Sequence, residues 1–113
     1  MRRRLRSFIS VRFPFILSFP HFCLWKQLIS VGKSLAVEWV GFARSNTVSP
    51  GYIATEISDF VPTATKNVWK DKIPMGREGE ASELKGAFLY LASDAASYTT
   101  GSDIIVDGGY CLP

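Results

Sequence analysis

Cysteine and histidine are scarce in this chain. Its 113 residues hold two cysteines, Cys23 and Cys111, and one histidine, His21. Two cysteines allow at most one disulfide, not a disulfide framework, and they read as thiols. A single His without any Cys-x-x-Cys leaves no metal-site spacing. Long apolar runs are missing as well. Arg12, Pro14 and Pro20 interrupt the Phe-rich start, and no run reaches the roughly 18–20 charge-free residues of a membrane span. Acids are absent from residues 1–37, which carry Arg2, Arg3, Arg4, Arg6, Arg12, Lys26 and Lys33. All 10 acids lie from Glu38 onward, against six bases there, so the net charge of +3 is +7 followed by −4.

What is present bounds one domain and no more. With 47% hydrophobic and 20% charged residues, the chain is neither a disordered tail, nor collagen-like, nor a coiled coil. The basic excess does not imply nucleic acid, because the bases cluster at the extreme N-terminus and the well-patterned part is acidic. Met1–Arg6 followed by Phe8–Trp25 has the basic and apolar regions of a signal peptide, and its Arg, Phe and Ser content also suits a transit peptide. Against a signal peptide, Arg12 interrupts the apolar stretch and the two prolines break any helix there. Residues 1–25 therefore read as a divergent leader, foreign to the fold, and residues 26–113 as the folded part. The location expected for the chain is cytoplasmic, with the leader as the feature that argues otherwise.

Lys26–Val40 reads as a helix. Leu28, Val31, Leu35, Trp39 and Phe42 recur at steps of three and four and share one face, with Ile29, Ala36 and Val40 widening the stripe. Gly41 is expected to stop the helix in the left-handed conformation. Arg44–Val48 reads as a strand ending at Ser49-Pro50-Gly51, where Pro50 removes a ladder donor and Gly51 permits a sharp turn. Thr55–Pro74 is weakly patterned, with short helices at Glu56–Phe60 and Thr63–Trp69, and reads as a lid or excursion. Lys66, Lys70 and Lys72 within it read as a solvated face. Glu80–Ser93 is a second helix, with Leu84, Ala87, Phe88 and Leu91 on one face and Glu80 and Glu83 at the positive end of its dipole. Ile104-Ile105-Val106 is a β-branched run that suits a strand buried on both faces, and Asp107-Gly108-Gly109 ends it. Strand, helix, strand argues one parallel βαβ crossover with a flanking helix. The fold class is α/β, a part of a Rossmann-like doubly wound parallel sheet.

Four segments in order carry a family likeness: Lys33-Ser34-Leu35-Ala36-Val37-Glu38-Trp39; Asn46-Thr47-Val48-Ser49-Pro50-Gly51-Tyr52-Ile53-Ala54-Thr55; Ala87 to Gly101; and Val106-Asp107-Gly108-Gly109-Tyr110. From about Ser30 to Pro113 the chain resembles the C-terminal part of a short-chain dehydrogenase/reductase. The wording is nearest to the fungal NADP-dependent mannitol dehydrogenase and sorbose/xylulose reductase branch. The resemblance implies an NADP or NAD cofactor and carbonyl or polyol chemistry. It implies that Pro50 and Gly51 pass beside the nicotinamide, that the backbone near Ile53 bonds the carboxamide, and that the Thr55 hydroxyl reaches the phosphates or the amide. It also places Lys26–Val40 and Ile104–Tyr110 at contacts with other subunits of the family.

The departures matter as much. The nine glycines, at 32, 41, 51, 76, 79, 86, 101, 108 and 109, never give the family's Gly-x-x-x-Gly-x-Gly, so the pyrophosphate has no cradle. The residues four after Tyr52, Tyr90 and Tyr98 are Glu56, Asp94 and Ser102, so the family's Tyr-x-x-x-Lys is absent too. Counting back without gaps puts His21 and Trp25 at its two places, with Lys26 one residue off register. Imidazole titrates near neutrality, but nothing in the sequence orients His21, which reads as an accident of the leader. No catalytic residue and no metal ligand is assigned. Three readings remain open: a truncated family member that is inactive and does not bind the dinucleotide alone, an assembly fragment that joins a full-length subunit, and a protein targeted by its leader. An isolated edge of a sheet, with its stripe and last strand uncovered, is also expected not to be stable alone.

Overall fold

Every residue of the strand Ala43–Pro50 (β2) is buried, although Arg44, Ser45, Asn46, Thr47 and Ser49 are polar. Such a strand needs both edges paired and its polar side chains answered. The structure, a computed structural model, describes residues 6–11 and 20–112 and shows how this is done. On one edge Arg6–Val11 (β1) pairs in parallel, from Arg6 opposite Ala43 to Val11 opposite Val48. On the other edge Asp103–Val106 (β5) pairs in parallel, from Thr47 opposite Asp103 to Pro50 opposite Val106. The order is β1-β2-β5.

Helix Pro20–Glu38 (α1) joins β1 to β2, and the path from β2 to β5 runs through Ile53–Ala54 (β3), Thr63–Lys72 (α2), Gly79–Glu80 (β4) and Lys85–Ala92 (α3). β3 and β4 form a separate two-stranded parallel ladder. Successive strand residues point to opposite faces. Thr47 meets Gly32 of α1, while Val48 packs with Leu91 of α3 and with Ala96, flanked by Ile9, Ala87, Phe88, Ile104 and Val106. The two helices thus cover opposite faces, which is the doubly wound arrangement. The fold class read from the sequence holds, with two consecutive βαβ units where one was expected.

The leader is the main correction. Residues 1–25 were expected to lie outside the fold, yet β1 is a full partner of β2 and α1 begins at Pro20 rather than Lys26. A proline is harmless at the first position of a helix, where its missing N–H has no partner to lose. Within β1, Ile9 joins the core and Phe8 sets its ring edge-on to Trp39, with centroids 5.5 Å apart. Met1–Leu5 and Arg12–Phe19 fall outside the described residues, as does the side chain of His21.

Three smaller expectations also change. The stripe of α1 does not face the sheet at Leu28 and Val31, which are more than half exposed. Small residues face it instead. A methyl group at Gly32 would stand 3.1 Å from the Thr47 hydroxyl, and Ala36 is buried against Gly101. Gly41 is not left-handed; the helix ends as the Phe42 and Ala43 N–H groups fold back onto the Trp39 carbonyl, at 2.9 and 2.8 Å. In β5 only one face is covered, because Ile105 points away from the core and is 54% exposed. The short helices in 55–74 are found as a 3-10 turn over Glu56–Phe60 and as α2. The Glu80–Ser93 helix divides into a 3-10 turn, Ala81–Leu84, and α3.

Candidate functional site

In doubly wound sheets, ligands bind outside the carboxyl ends of the parallel strands. Here those ends are Pro50 of β2 and Val106 of β5, side by side. The corner Pro50-Gly51-Tyr52-Ile53-Ala54-Thr55 leaves from that point. Pro50 has no N–H, so the ladder is continued by the Gly51 N–H, which donates to the Val106 carbonyl at 2.9 Å. Gly51 is buried, and a Cβ on it would stand 2.6 Å from the Asp107 Cα. The glycine is therefore needed for close approach of the β5 exit. From the sequence alone its freedom reads as serving a turn, and the family resemblance adds a flat ligand ring.

The remaining expected residues spread outward along the corner. Ile53 is half-buried in β3 and lies opposite Gly79. The preceding Tyr52 carbonyl accepts the Gly79 N–H at 2.9 Å. Thr55 is exposed and opens the 3-10 turn: its N–H donates to Ser58 Oγ at 3.0 Å, and that hydroxyl donates to the Thr55 carbonyl at 2.7 Å. Pro50, Gly51, Ile53 and Thr55 thus form one continuous rim rather than a converging set. Tyr52, Ile53, Met75, Arg77, Glu83 and Asp107 border a small cavity of about 90 Å3 beside the rim.

Three features of the rim were not read from the sequence. Tyr52 stacks on Trp69 of α2, with centroids 4.7 Å apart and planes 17° from parallel, and meets Tyr110 edge-on at 5.1 Å. Burial, then a hydrogen bond with the Tyr110 phenol and its charge, push the Tyr52 hydroxyl up to about 12. Tyr52 thus stays neutral at ordinary pH and offers no general base. Arg77 grips Glu83 with two bonds of 2.8 Å, and the Glu80 N–H donates to the same carboxylate at 2.8 Å. The Arg77 bond and the backbone bond bring the Glu83 carboxyl down to about 2. The pairing sits on an exposed surface and orders the loop that carries β4.

Asp107 is turned inward on its own loop. Its oxygens accept the Gly109 and Cys111 N–H groups, both at 2.8 Å. Burial raises its pKa, but these bonds and the Cys111 side chain outweigh burial and hold the carboxyl below its ordinary value. That leaves Asp107-Gly108-Gly109 as a structural loop, as the sequence suggested. Lys66 pairs with Asp59 at 3.6 Å.

Behind the site, β2 is anchored by the segment that leads into β5. Asn46 Nδ2 donates to the Thr99 carbonyl at 3.0 Å, and Asn46 Oδ1 accepts the Ser102 N–H at 3.1 Å. Ser49 Oγ donates to Asp103 at 2.6 Å. The buried Arg44 donates to Ser7 Oγ at 2.6 Å, to the Leu91 and Ser93 carbonyls at the end of α3, and to the Thr99 carbonyl. Among the described residues no carboxylate pairs with it; the negative end of the α3 dipole answers its charge.

The comparisons bear on this arrangement. The family model described as enoyl-(acyl carrier protein) reductase matches residues 25–111. The L-xylulose reductase of Hypocrea jecorina is 72% identical over 93 residues, which are 82% of this chain and 29% of that protein. The NADP-dependent mannitol dehydrogenase of Alternaria alternata is 60% identical over 84 residues, 74% of this chain and 32% of that protein. This chain therefore spans about 30% of the length of these relatives. Among solved structures, the NADPH-dependent 3-quinuclidinone reductase of Rhodotorula rubra superposes with a TM-score of 0.80 at 39% identity, covering 95% of this chain and 43% of that one. With a matching family model over most of its length and a parallel sheet wound on both faces, the chain belongs to the short-chain dehydrogenase/reductase family.

Proposed function

We propose that the chain carries the nicotinamide-side corner and the lid of an NADP-dependent sugar or polyol oxidoreductase, and that these 113 residues alone turn over no substrate. The observation that carries this reading is the position of Pro50–Thr55 outside the carboxyl ends of β2 and β5, with α2 resting on it through Trp69. Pro50 and Gly51 bring the main chain to the sheet edge, Ile53 presents it to a carboxamide, and the exposed Thr55 supplies a hydroxyl. The residues fit one end of a dinucleotide. For the other end, no glycine spacing in the sequence supplies a pyrophosphate cradle. When bound, NADP provides the hydride exchange. The chain's own part is to hold and orient the ring, because it has no Tyr-x-x-x-Lys to move the proton.

The test is NADPH oxidation with fructose, sorbose and xylulose at high protein concentration. No turnover is expected. Turnover above ~1 per second that is lost in His21→Ala would overturn the reading. Cytoplasmic residence is part of the same proposal: among the described residues no helix is long and apolar enough to cross a membrane. Localisation of a C-terminally tagged chain tests it against organelle import.

A second reading has its own observation. Leu28, Val31, Val37 and Val40 are all exposed along α1 and beyond its end. Exposed apolar side chains of this kind suit an assembly role, in which the chain joins a full-length subunit of the family. Co-expression with such a subunit and recovery of a stoichiometric complex would favour it.

A further inference from the structure

The excursion between β3 and β4 is held to the rest of the molecule at very few points. From Thr55 to Lys72 the one buried side chain among those described is Trp69. The main-chain bonds between its turns are local: Ser58 to Thr55, Val61 to Ser58, Thr65 and Lys66 to Pro62, and Ile73 to Lys70. Phe60 is 89% exposed and Val68 more than half exposed, so neither anchors it. The far end is fixed where Ile73 is buried and the Met75 N–H donates to the Gly108 carbonyl at 3.1 Å. Trp69 lies between a free-running turn and this fixed end.

Its partner is as telling. Trp69 stacks on Tyr52, whose neighbours are the buried Gly51 and the strand β3, and whose carbonyl accepts the Gly79 N–H. Tyr110 of the C-terminal loop meets the Tyr52 ring edge-on. Three segments distant in sequence therefore meet at one ring. We propose that the Tyr52–Trp69 stack is the latch of the excursion: it ties α2 to the corner after β2, so that releasing Trp69 frees α2 and loosens Tyr52–Ala54 and Gly79–Glu80 together. A single stacked pair is weak enough to open locally without unfolding the sheet. The latch makes Trp69 a positioning residue for the corner, which it reaches only through Tyr52. The coupling belongs to the chain without ligand, so its failure would leave the reading of the corner standing.

The experiment is hydrogen–deuterium exchange of the 113-residue chain, read on peptides covering 52–54, 63–72 and 79–80, with no dinucleotide present. Trp69→Ala should speed exchange by roughly five- to ten-fold in all three, the scale of one lost aromatic pair. Trp69→Phe, which keeps a ring for Tyr52, should stay within about two-fold of wild type. Tyr52→Ala should speed exchange in 63–72, and the double variant should add little to either single one. Faster exchange in 63–72 with 52–54 and 79–80 unchanged would overturn the proposal. So would additive single variants, or equal exchange in all chains.

Discussion

Gly51 has no room for a methyl group. Its Cβ would fall 2.6 Å from the Asp107 main chain, and neither strand exit can yield without losing the bond to Val106. Gly51→Ala should lower stability by about 1–3 kcal/mol, read as a shifted urea midpoint at fixed chain concentration. Arg44 is the second sensitive position. Arg44→Met keeps the length of the side chain but strands the Leu91 carbonyl and leaves the Thr99 carbonyl with Asn46 alone, and should cost about 1.5–3 kcal/mol by the same measurement. The pH dependence has two ends. Tyr52 is raised from 10.0 to about 12, so its contribution is full below pH 10 and is lost as pH rises towards 12. Glu83 is lowered from 4.5 to about 2, so its contribution is full above pH 4.5 and is lost as pH falls towards 2. Urea midpoints measured across both windows should fall at each end. Tyr52→Phe should flatten the alkaline fall and Glu83→Gln the acid one.

Elements were legible in proportion to their length and period. α3 and the core residues Leu84 and Leu91 follow from an i, i+3, i+4, i+7 pattern, and the Pro-Gly corner from its residue types. β1 was hidden because Arg-Ser-Phe-Ile-Ser-Val is six residues long, sits beside Pro14 and a basic start, and gains its stability from pairing with β2. The inner face of α1 is only partly legible for a related reason: a helix packed closely on a strand shows small residues there, so Ala36 reads as the margin of the stripe and Gly32 carries no hydrophobic signal. Of the rim, Pro50, Gly51, Ile53 and Thr55 were named. The Tyr52–Trp69–Tyr110 cluster was not, since it joins residues 17 to 58 positions apart through tertiary contact alone. The importance of β1 can be measured. Deleting residues 1–11 bares one edge of a fully buried strand and removes Ile9 from the core, so circular dichroism should show a large loss of helix. An unchanged spectrum would restore the view of that segment as a dispensable leader.

The whole molecule leaves apolar side chains uncovered. Leu28, Val31, Val37 and Val40 lie along α1 and its exit, and Leu89, Ile105 and Leu112 are exposed near the other end of the chain. Among the described residues no strand pairs with the outer edge of β1 or β5 in the three-stranded sheet. Open edges beside apolar surface favour association. Light scattering after size exclusion should therefore show a mass that rises with concentration in the micromolar range. A monomer at every concentration, with cooperative unfolding above ~5 kcal/mol, would show that the exposed surface is tolerated.

The bonds that answer the Asn46 and Ser49 side chains of β2 come from residues 53 to 56 positions further along the chain. During synthesis, β1, α1 and β2 leave the ribosome long before those partners exist. For that interval Asn46 and Ser49 have only water to bond, and β2 gains nothing by burying itself. The same polarity that looks out of place in a central strand thus keeps the nascent segment solvated and delays closure until Thr99–Val106 arrives. Folding is set by the last contacts to become available, which are also the most distant in sequence.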